Sequence, residues 1–326
     1  MSLVRYRISQ IQFSIASPEE ILASSVLCVT EPNLYSKGIP NAGACNDLRL
    51  GTVDRRFRCG TCRLSSQQCM GHNGHIVLPW PVYHWLCFDK ILKVLRCTCY
   101  WCSSSLIDPK ADDVIRRFST VRKKSKLPSV ISTYCKKKKC FSCGGLQPSY
   151  DKDQLSIVTN WKGVYDDLTD EEKKVADQRF NAKVARQILQ FISDDDCRFM
   201  GFDPEKTRPE WMILTHLLVP TVIIRPTTMI SEGSRTKGHD DLTTLLRDIC
   251  KYSNLVRDKL KEEPDVLPEK EYEQLVVHIY TYFDKDGGAS TSSMCLGGTG
   301  ASRTTRRHIT RSGPVKSLGK RLGGKR

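Results

Sequence analysis

Between Cys59 and His75 the chain reads CGTCRLSSQQCMGHNGH, which crowds three cysteines and two histidines into a stretch with little that could pack a core. Cys59-x2-Cys62-x6-Cys69-x2-His72 offers four ligands in two closely spaced pairs, and a short loop lets such pairs converge on one tetrahedral ion. Thiolate and imidazole together suit Zn2+, which has no redox chemistry of its own. All four positions are taken by protein, so the expected site is closed and structural; a catalytic zinc keeps a position for water. His75 lies just past the set and reads as a supporting or surface residue, not a fifth ligand.

Cys99-x2-Cys102 and Cys140-x2-Cys143 form a second, four-thiolate candidate, with 37 residues between the pairs. Cys97 and Cys135 compete for those places, although the x2 pairing favours the other four. Cys28, Cys45, Cys87, Cys197, Cys250 and Cys295 stand alone and read as small buried apolar residues or free thiols. There are fifteen cysteines and no apolar stretch at the N-terminus that would serve as a secretory signal, so the expected setting is an intracellular, reducing compartment. Metal binding would then supply folding free energy to a loop-rich segment with little core of its own.

No nucleophile elbow, phosphate-binding loop or H-E-x-x-H motif occurs. Asp284-Lys285-Asp286-Gly287 reads as a turn, and Asp194-Asp195-Asp196 after Ser193 as a capped helix start. The net charge of +15 is local: residues 110–140 hold eleven Lys and Arg against two Asp, and residues 301–326 hold nine with no acid. Two basic blocks on an otherwise balanced chain point to a polyanion, most simply nucleic acid, against the alternative of a solvated loop and tail. No run of eighteen apolar residues is present, so no membrane partner is expected.

These side chains need elements to position them. Residues 6–15 alternate like a strand. Ser17, Pro18 and Glu20 make a capping box with proline at the first helical position. Residues 33–75 read as loop, and residues 80–97 as a helix with a stripe through Trp85, Phe88, Leu92 and Leu95. A second capping box, Thr169 with Glu172, predicts a longer helix with a stripe through Phe180, Val184, Ile188, Phe191 and Ile192. Asp203-Pro204 predicts another helix start, residues 217–226 an extended segment, and residues 241–262 and 269–283 two helices. The fold class is α+β, mostly helical after residue 160, with irregular metal-stapled segments before it.

Several blocks occur together and in order: QIQFSIASPEEI, LRLGTVDRRFRCGTC, CMGHNGHIVLPWPVYH, CTCYWCSSSLID, CFSCGGLQPSY, CRFMGFDPEKTRPEWMIL and GPVKSLGKRL. Over nearly its whole length the chain resembles the largest subunit of multisubunit DNA-directed RNA polymerases, more the eukaryotic, archaeal and large-DNA-virus branch than the bacterial one. The resemblance implies a clamp that closes over template DNA and the RNA–DNA hybrid. Its two zinc sites would be Cys59, Cys62, Cys69 and His72, and Cys99, Cys102, Cys140 and Cys143. It divides the chain into a zinc-binding clamp region (1–160) with a basic insertion (about 103–139), a helical clamp core (161–285) with a lid-like loop (about 231–241), and a rudder-like basic segment (286–326). In that last segment Arg303, Arg306, Arg307, Arg311, Lys316, Lys320, Arg321, Lys325 and Arg326 are the expected nucleic-acid contacts.

The carboxylate triad that binds catalytic Mg2+ in the family has no counterpart in this sequence. The expectation is a fragment or a naturally split subunit, with Mg2+ needed by the whole enzyme but not bound here. The implied partners are the remainder of the largest subunit, the second-largest subunit and other polymerase subunits. The implied location is the nucleus, or a viral factory or virion if the chain is viral. A stand-alone zinc-containing DNA-binding regulator is the alternative. A RING-like ligase is excluded, because the first four ligands close on themselves instead of interleaving.

Overall fold

The computed structural model describes residues 14–107, 135, 139–153, 155–229, 237–264 and 266–283. It is a mixed helix-and-strand structure built on a three-stranded sheet of β1 (Ser25–Cys28), β4 (Asn73–Tyr83) and β7 (Ile213–Val219). The long β4 lies in the middle, parallel to β1 and antiparallel to β7. Its side chains alternate between half-buried and buried from Asn73 to Val82, the period-2 pattern of a strand with one face on a core. The pairing of β4 with β7 shifts register between Val77 and Val82. Pro79 and Pro81 fall in that interval, and neither has an N–H to give to a ladder.

Those prolines also correct the helix expected over 80–97. Pro81 holds Trp80 extended, so β4 runs on to Tyr83; a 3-10 turn follows at Trp85–Cys87, and the helix α2 covers only Phe88–Cys97. Ile91, Val94 and Leu95 of α2 are fully buried. The first capping box is present: α1 (Pro18–Ser24) starts on Ser17, whose side chain accepts from the Glu20 N–H while Glu20 reaches back. Of the strand expected over 6–15, residues 6–13 lie outside the described residues, and Ser14 and Ile15 are not strand. The loop expected over 33–75 contains a short hairpin, β2 (Tyr35–Ser36) with β3 (Ile39–Pro40), and gives way to β4 at Asn73.

After the hairpin of β5 (Ser149–Asp153) and β6 (Ser156–Asn160), the second capping box opens a short helix, α3 (Asp170–Ala176). The single long helix expected here is two. The chain breaks after α3, and Asn181 caps α4 (Ala182–Gln190) by accepting from the Lys183 and Val184 N–H groups. Phe191, expected on the buried stripe, sits beyond the C-terminus of α4 and is 75% exposed. Ser193 caps α5 (Asp194–Phe199) as expected. Asp203-Pro204 starts no helix: Asp203 accepts from the Glu205 N–H and the Thr207 N–H, closing a turn. Arg208, held extended before Pro209, then leads through a 3-10 turn into β7. In the segment expected to be extended over 217–226, β7 stops at Val219 and a 3-10 turn occupies Val222–Ile224.

The small pair β8 (Thr228–Met229) and β9 (Lys237–Gly238) brackets residues 230–236, most of the loop expected over about 231–241, which lie outside the described residues. The two helices α6 (Asp241–Glu262) and α7 (Glu269–Phe283) have the bounds read from the sequence and pack on each other. Leu242, Leu246 and Ile249 of α6 and Leu275 and Ile279 of α7 join Ile76, Leu78, Val82, Leu217 and Val219 of the sheet in one apolar cluster. A second cluster gathers α2, α4, α5 and the β5–β6 hairpin around Ile91, Leu95, Ile157, Leu189 and Met200. The two candidate metal loops project from this framework.

Candidate metal centres

Three Cys-x2-Cys turns in the chain share one backbone design. In each, the first cysteine's carbonyl accepts from the N–H four residues on: Arg63 to Cys59 at 3.0 Å, Ser103 to Cys99 at 3.2 Å and Gly144 to Cys140 at 3.1 Å. That fourth residue has positive φ in every case, 63° at Arg63, 58° at Ser103 and 72° at Gly144. The turn tightens further because the first cysteine's N–H donates to the carbonyl five residues on, at Leu64, Ser104 and Gly145. The N–H two residues after each first cysteine then points at its sulfur: Thr61 to Cys59, Trp101 to Cys99 and Ser142 to Cys140, each at 3.4 Å. Backbone N–H groups aimed at sulfur favour the thiolate, the form that binds metal.

In the first centre the ligand atoms of Cys59, Cys62, Cys69 and His72 all lie within 4.8 Å of one another. The 3-10 turn Leu48–Leu50, capped by Asp47, supplies its floor. The Leu48 carbonyl accepts from Gly60 and the Leu50 carbonyl from His72, at 2.9 and 3.1 Å. Gly51 and Gly71 meet there: a Cβ on Gly51 would lie 3.2 Å from the Gly71 Cα and 3.8 Å from the Cys69 sulfur. Gly71 has φ of +80°, and its N–H donates to the Cys69 sulfur at 3.3 Å. Burial pushes the Cys69 thiol up to about 11, against the pull of the Gly71 N–H.

A test of this packing is Gly71→Ala. Its Cβ would sit 2.6 Å from Thr221 Cβ, whereas at Gly163, with the same φ of +80°, nothing lies within 4 Å. Gly163→Ala should cost about 1–2 kcal/mol for the left-handed backbone alone. Gly71→Ala should cost clearly more in urea unfolding; equal losses would count against the close approach.

The sulfurs of Cys99, Cys102, Cys140 and Cys143 form the second centre, again within 4.8 Å of one another. Its loops rest on aromatic packing, with Tyr100 against Trp101 and Trp161 at ring centroid distances of 5.0 and 5.3 Å. The Trp101 indole N–H donates to the Leu146 carbonyl at 2.9 Å. The Ser105 N–H donates to Asp196 at the start of α5, which ties the loop to the helical core. Burial opposes ionisation of Cys102, but the Ser104 hydroxyl and N–H stabilise its thiolate and hold the pKa at about 7. Donor chemistry and convergence in both centres fit Zn2+, through three thiolates with imidazole in one and four thiolates in the other.

Residues 5–326 match the family described as RNA polymerase Rpb1, domain 1. The chain belongs to that family. Rpb1 domain 1 is the N-terminal region of the largest RNA polymerase subunit. The chain is 32% identical over 330 residues to "DNA-directed RNA polymerase II subunit RPB1" of Euplotoides octocarinatus, covering 98% of this chain and 65% of that protein. It is 33% identical over 328 residues to "DNA-directed RNA polymerase subunit Rpo1N" of Methanothermobacter thermautotrophicus, covering 98% of this chain and 34% of that protein. The chain thus spans less than two thirds of the length of either relative.

This Rpb1-family chain brings all eight ligands expected from the sequence into two clusters, and leaves their competitors out. Cys97 donates to the Lys93 carbonyl, and its hydrogen bond with Cys135, reinforced by burial, holds its thiol far above the usual range. His75 lies outside the cluster: on β4 its Nδ1 lies 2.7 Å from the Ser25 hydroxyl, and burial lowers its pKa. The basic residues 303–326 lie outside the described residues, as do 108–134 and 136–138 of the basic insertion. Sequence reasoning missed the residues that support the centres. Gly51 and Gly71 flank a ligand loop and could have been flagged. Ser104 and Gln147 gave no signal. None of the helices among the described residues is long and apolar enough to cross a membrane.

Proposed function

We propose that this chain is the clamp portion of the largest subunit of a DNA-directed RNA polymerase. It holds template DNA and the RNA–DNA hybrid, while nucleotidyl transfer takes place at Mg2+ carried by another segment or chain. The observation that carries the reading is the family match along residues 5–326, together with two convergent zinc-type ligand sets in the chain it matches. In this reading each set holds one structural Zn2+, and the ions shape loops that have little core. The partners are the remainder of the largest subunit, the second-largest subunit and the nucleic acids. The lid-like loop bracketed by β8 and β9 and the rudder-like segment 286–326 face the nucleic acid.

Arg303, Arg306, Arg307, Arg311, Lys316, Lys320, Arg321, Lys325 and Arg326 contact phosphates, not base edges, since an enzyme that moves along every sequence would be stalled by base-specific contacts. The first centre adds positive surface. Arg55, Arg58 and Arg63 are exposed and make no ion pair among the described residues, whereas Arg49 and Arg56 are paired with Asp47 and Asp54. The test is to recover the chain with its partners and measure the affinity of the complex for a nucleic-acid scaffold across a salt series. A second large catalytic subunit should co-purify, and Arg306→Ala with Arg307→Ala should flatten the salt slope by about one unit per lost contact. A chain that comes out alone and binds DNA would be a stand-alone regulator. Superimposable salt curves would remove these arginines from the interface.

A further inference from the structure

Four thiolates around one Zn2+ would leave a net charge of −2 at the second centre, whereas three thiolates and a neutral imidazole would leave −1 at the first. An anionic cluster of that kind needs hydrogen-bond donors on sulfur to hold its charge in a buried place. In the first centre, among the described residues, the donors to sulfur from outside the ligand set are backbone N–H groups, at Thr61 and Gly71. The second centre has the corresponding backbone donors at Trp101, Ser142 and Gly145, the Ser104 N–H and hydroxyl on Cys102, and a side-chain amide besides.

That amide belongs to Gln147, which is buried. Its Nε2 donates to the Cys99 sulfur at 3.2 Å and to the Gly145 carbonyl at 2.9 Å. Its Oε1 accepts from the Tyr100 N–H at 2.8 Å. One amide thus touches both halves of the centre: Cys99 and Tyr100 belong to the first ligand turn, and Gly145 follows the second. The two turns are 37 residues apart between Cys102 and Cys140, so their relative placement is not given by local chain geometry. Gln147 has three of its four hydrogen-bonding capacities engaged, each with a partner that fixes a different part of the cluster.

We infer that Gln147 is the positioning residue of the second zinc centre: it clamps the two Cys-x2-Cys turns in register and neutralises part of the charge on the Cys99 thiolate, which slows zinc loss from this centre alone. The inference rests on the zinc reading above. It concerns metal retention and makes no claim on nucleic acid.

The experiment uses the full chain loaded with Zn2+, and separately with Co2+, whose spectrum distinguishes a four-thiolate centre from one with an imidazole. Wild type is compared with Gln147→Met, which keeps the length and packing but has no N–H, and with Gln147→Ala. Metal transfer to a colorimetric chelator is followed for each centre. Zinc should leave the second centre about 10–100-fold faster in both variants, with release from the first centre unchanged. In the Co2+ form the thiolate-to-metal charge-transfer band of the second centre should move to lower energy in Gln147→Met, because a sulfur without its hydrogen bond gives up electron density more readily. Wild-type rates and spectrum in Gln147→Met would reduce the residue to packing and overturn the inference. Equal acceleration at both centres would show general destabilisation and overturn it too. A wild-type chain that binds fewer than two metal ions would instead remove the zinc reading on which it stands.

Discussion

Cys62→Ala should destabilise the chain by about 4 kcal/mol or more and lower bound zinc from two ions to one, while Cys87→Ala should cost about 1 kcal/mol and leave both ions in place. The two cysteines are matched in exposure, each being neither buried nor fully exposed. They differ in what their sulfur meets. Cys87 packs at the edge of the apolar cluster around α2, and burial pushes its thiol up, so it is a small apolar residue. Cys62 converges with Cys59, Cys69 and His72. The loop they staple has few buried apolar side chains: Leu64 and Met70 are exposed, and the cysteines themselves supply most of its interior. Without the metal, little remains to hold residues 59–72 against the entropy of the free chain. Thermal unfolding in parallel with elemental analysis measures both quantities. Equal shifts for the two variants would refute the ligand assignment.

Arg225→Ala should be as damaging, although it touches no metal ligand. Arg225 is completely buried. Its Nε donates to the Pro220 carbonyl at 3.1 Å, and one terminal nitrogen donates to Asn46 Oδ1 at 2.9 Å and Thr243 Oγ1 at 3.2 Å. The other terminal nitrogen donates to the Cys45 carbonyl. Burial lowers its pKa, but the guanidinium remains the group whose donors match these acceptors. It thereby joins the loop before the first metal centre, the end of β7 and the first turn of α6. Truncation leaves a cavity and several unpaired acceptors, a loss of roughly 3–5 kcal/mol. Arg198→Ala is the comparison: that side chain is exposed, paired with a still more exposed Asp195, and its removal should cost under about 1 kcal/mol. Urea unfolding curves decide. Similar midpoints for the two variants would show that the buried network is dispensable.

The features legible in the sequence are those whose geometry is local. The capping boxes at Ser17 and Thr169 are present because the donor and acceptor lie within one turn of each other. The bounds of α6 and α7 agree with their apolar periodicity. The candidate ligand sets were readable for the same reason, since each x2 pair brings two donor atoms together without help from the rest of the fold. Local signals failed where a competing local rule was stronger. The stripe over 80–97 was overruled at its start by Pro79 and Pro81, and the stripe after Thr169 by a break that Asn181 recaps. Asp203-Pro204 has the composition of a helix start, but its side chain and carbonyl are spent on closing a turn.

What only the tertiary structure decided is non-local pairing. No periodicity announces that β4 takes β1 on one side and β7, some 130 residues later, on the other. Nothing around Gln147 in sequence points to Cys99, and nothing around Arg225 points to Cys45 and Asn46. These contacts exist because the sheet and its helices bury apolar faces first and thereby bring distant segments together. A buried amide or guanidinium must then find partners among whatever backbone and sulfur atoms that packing delivers.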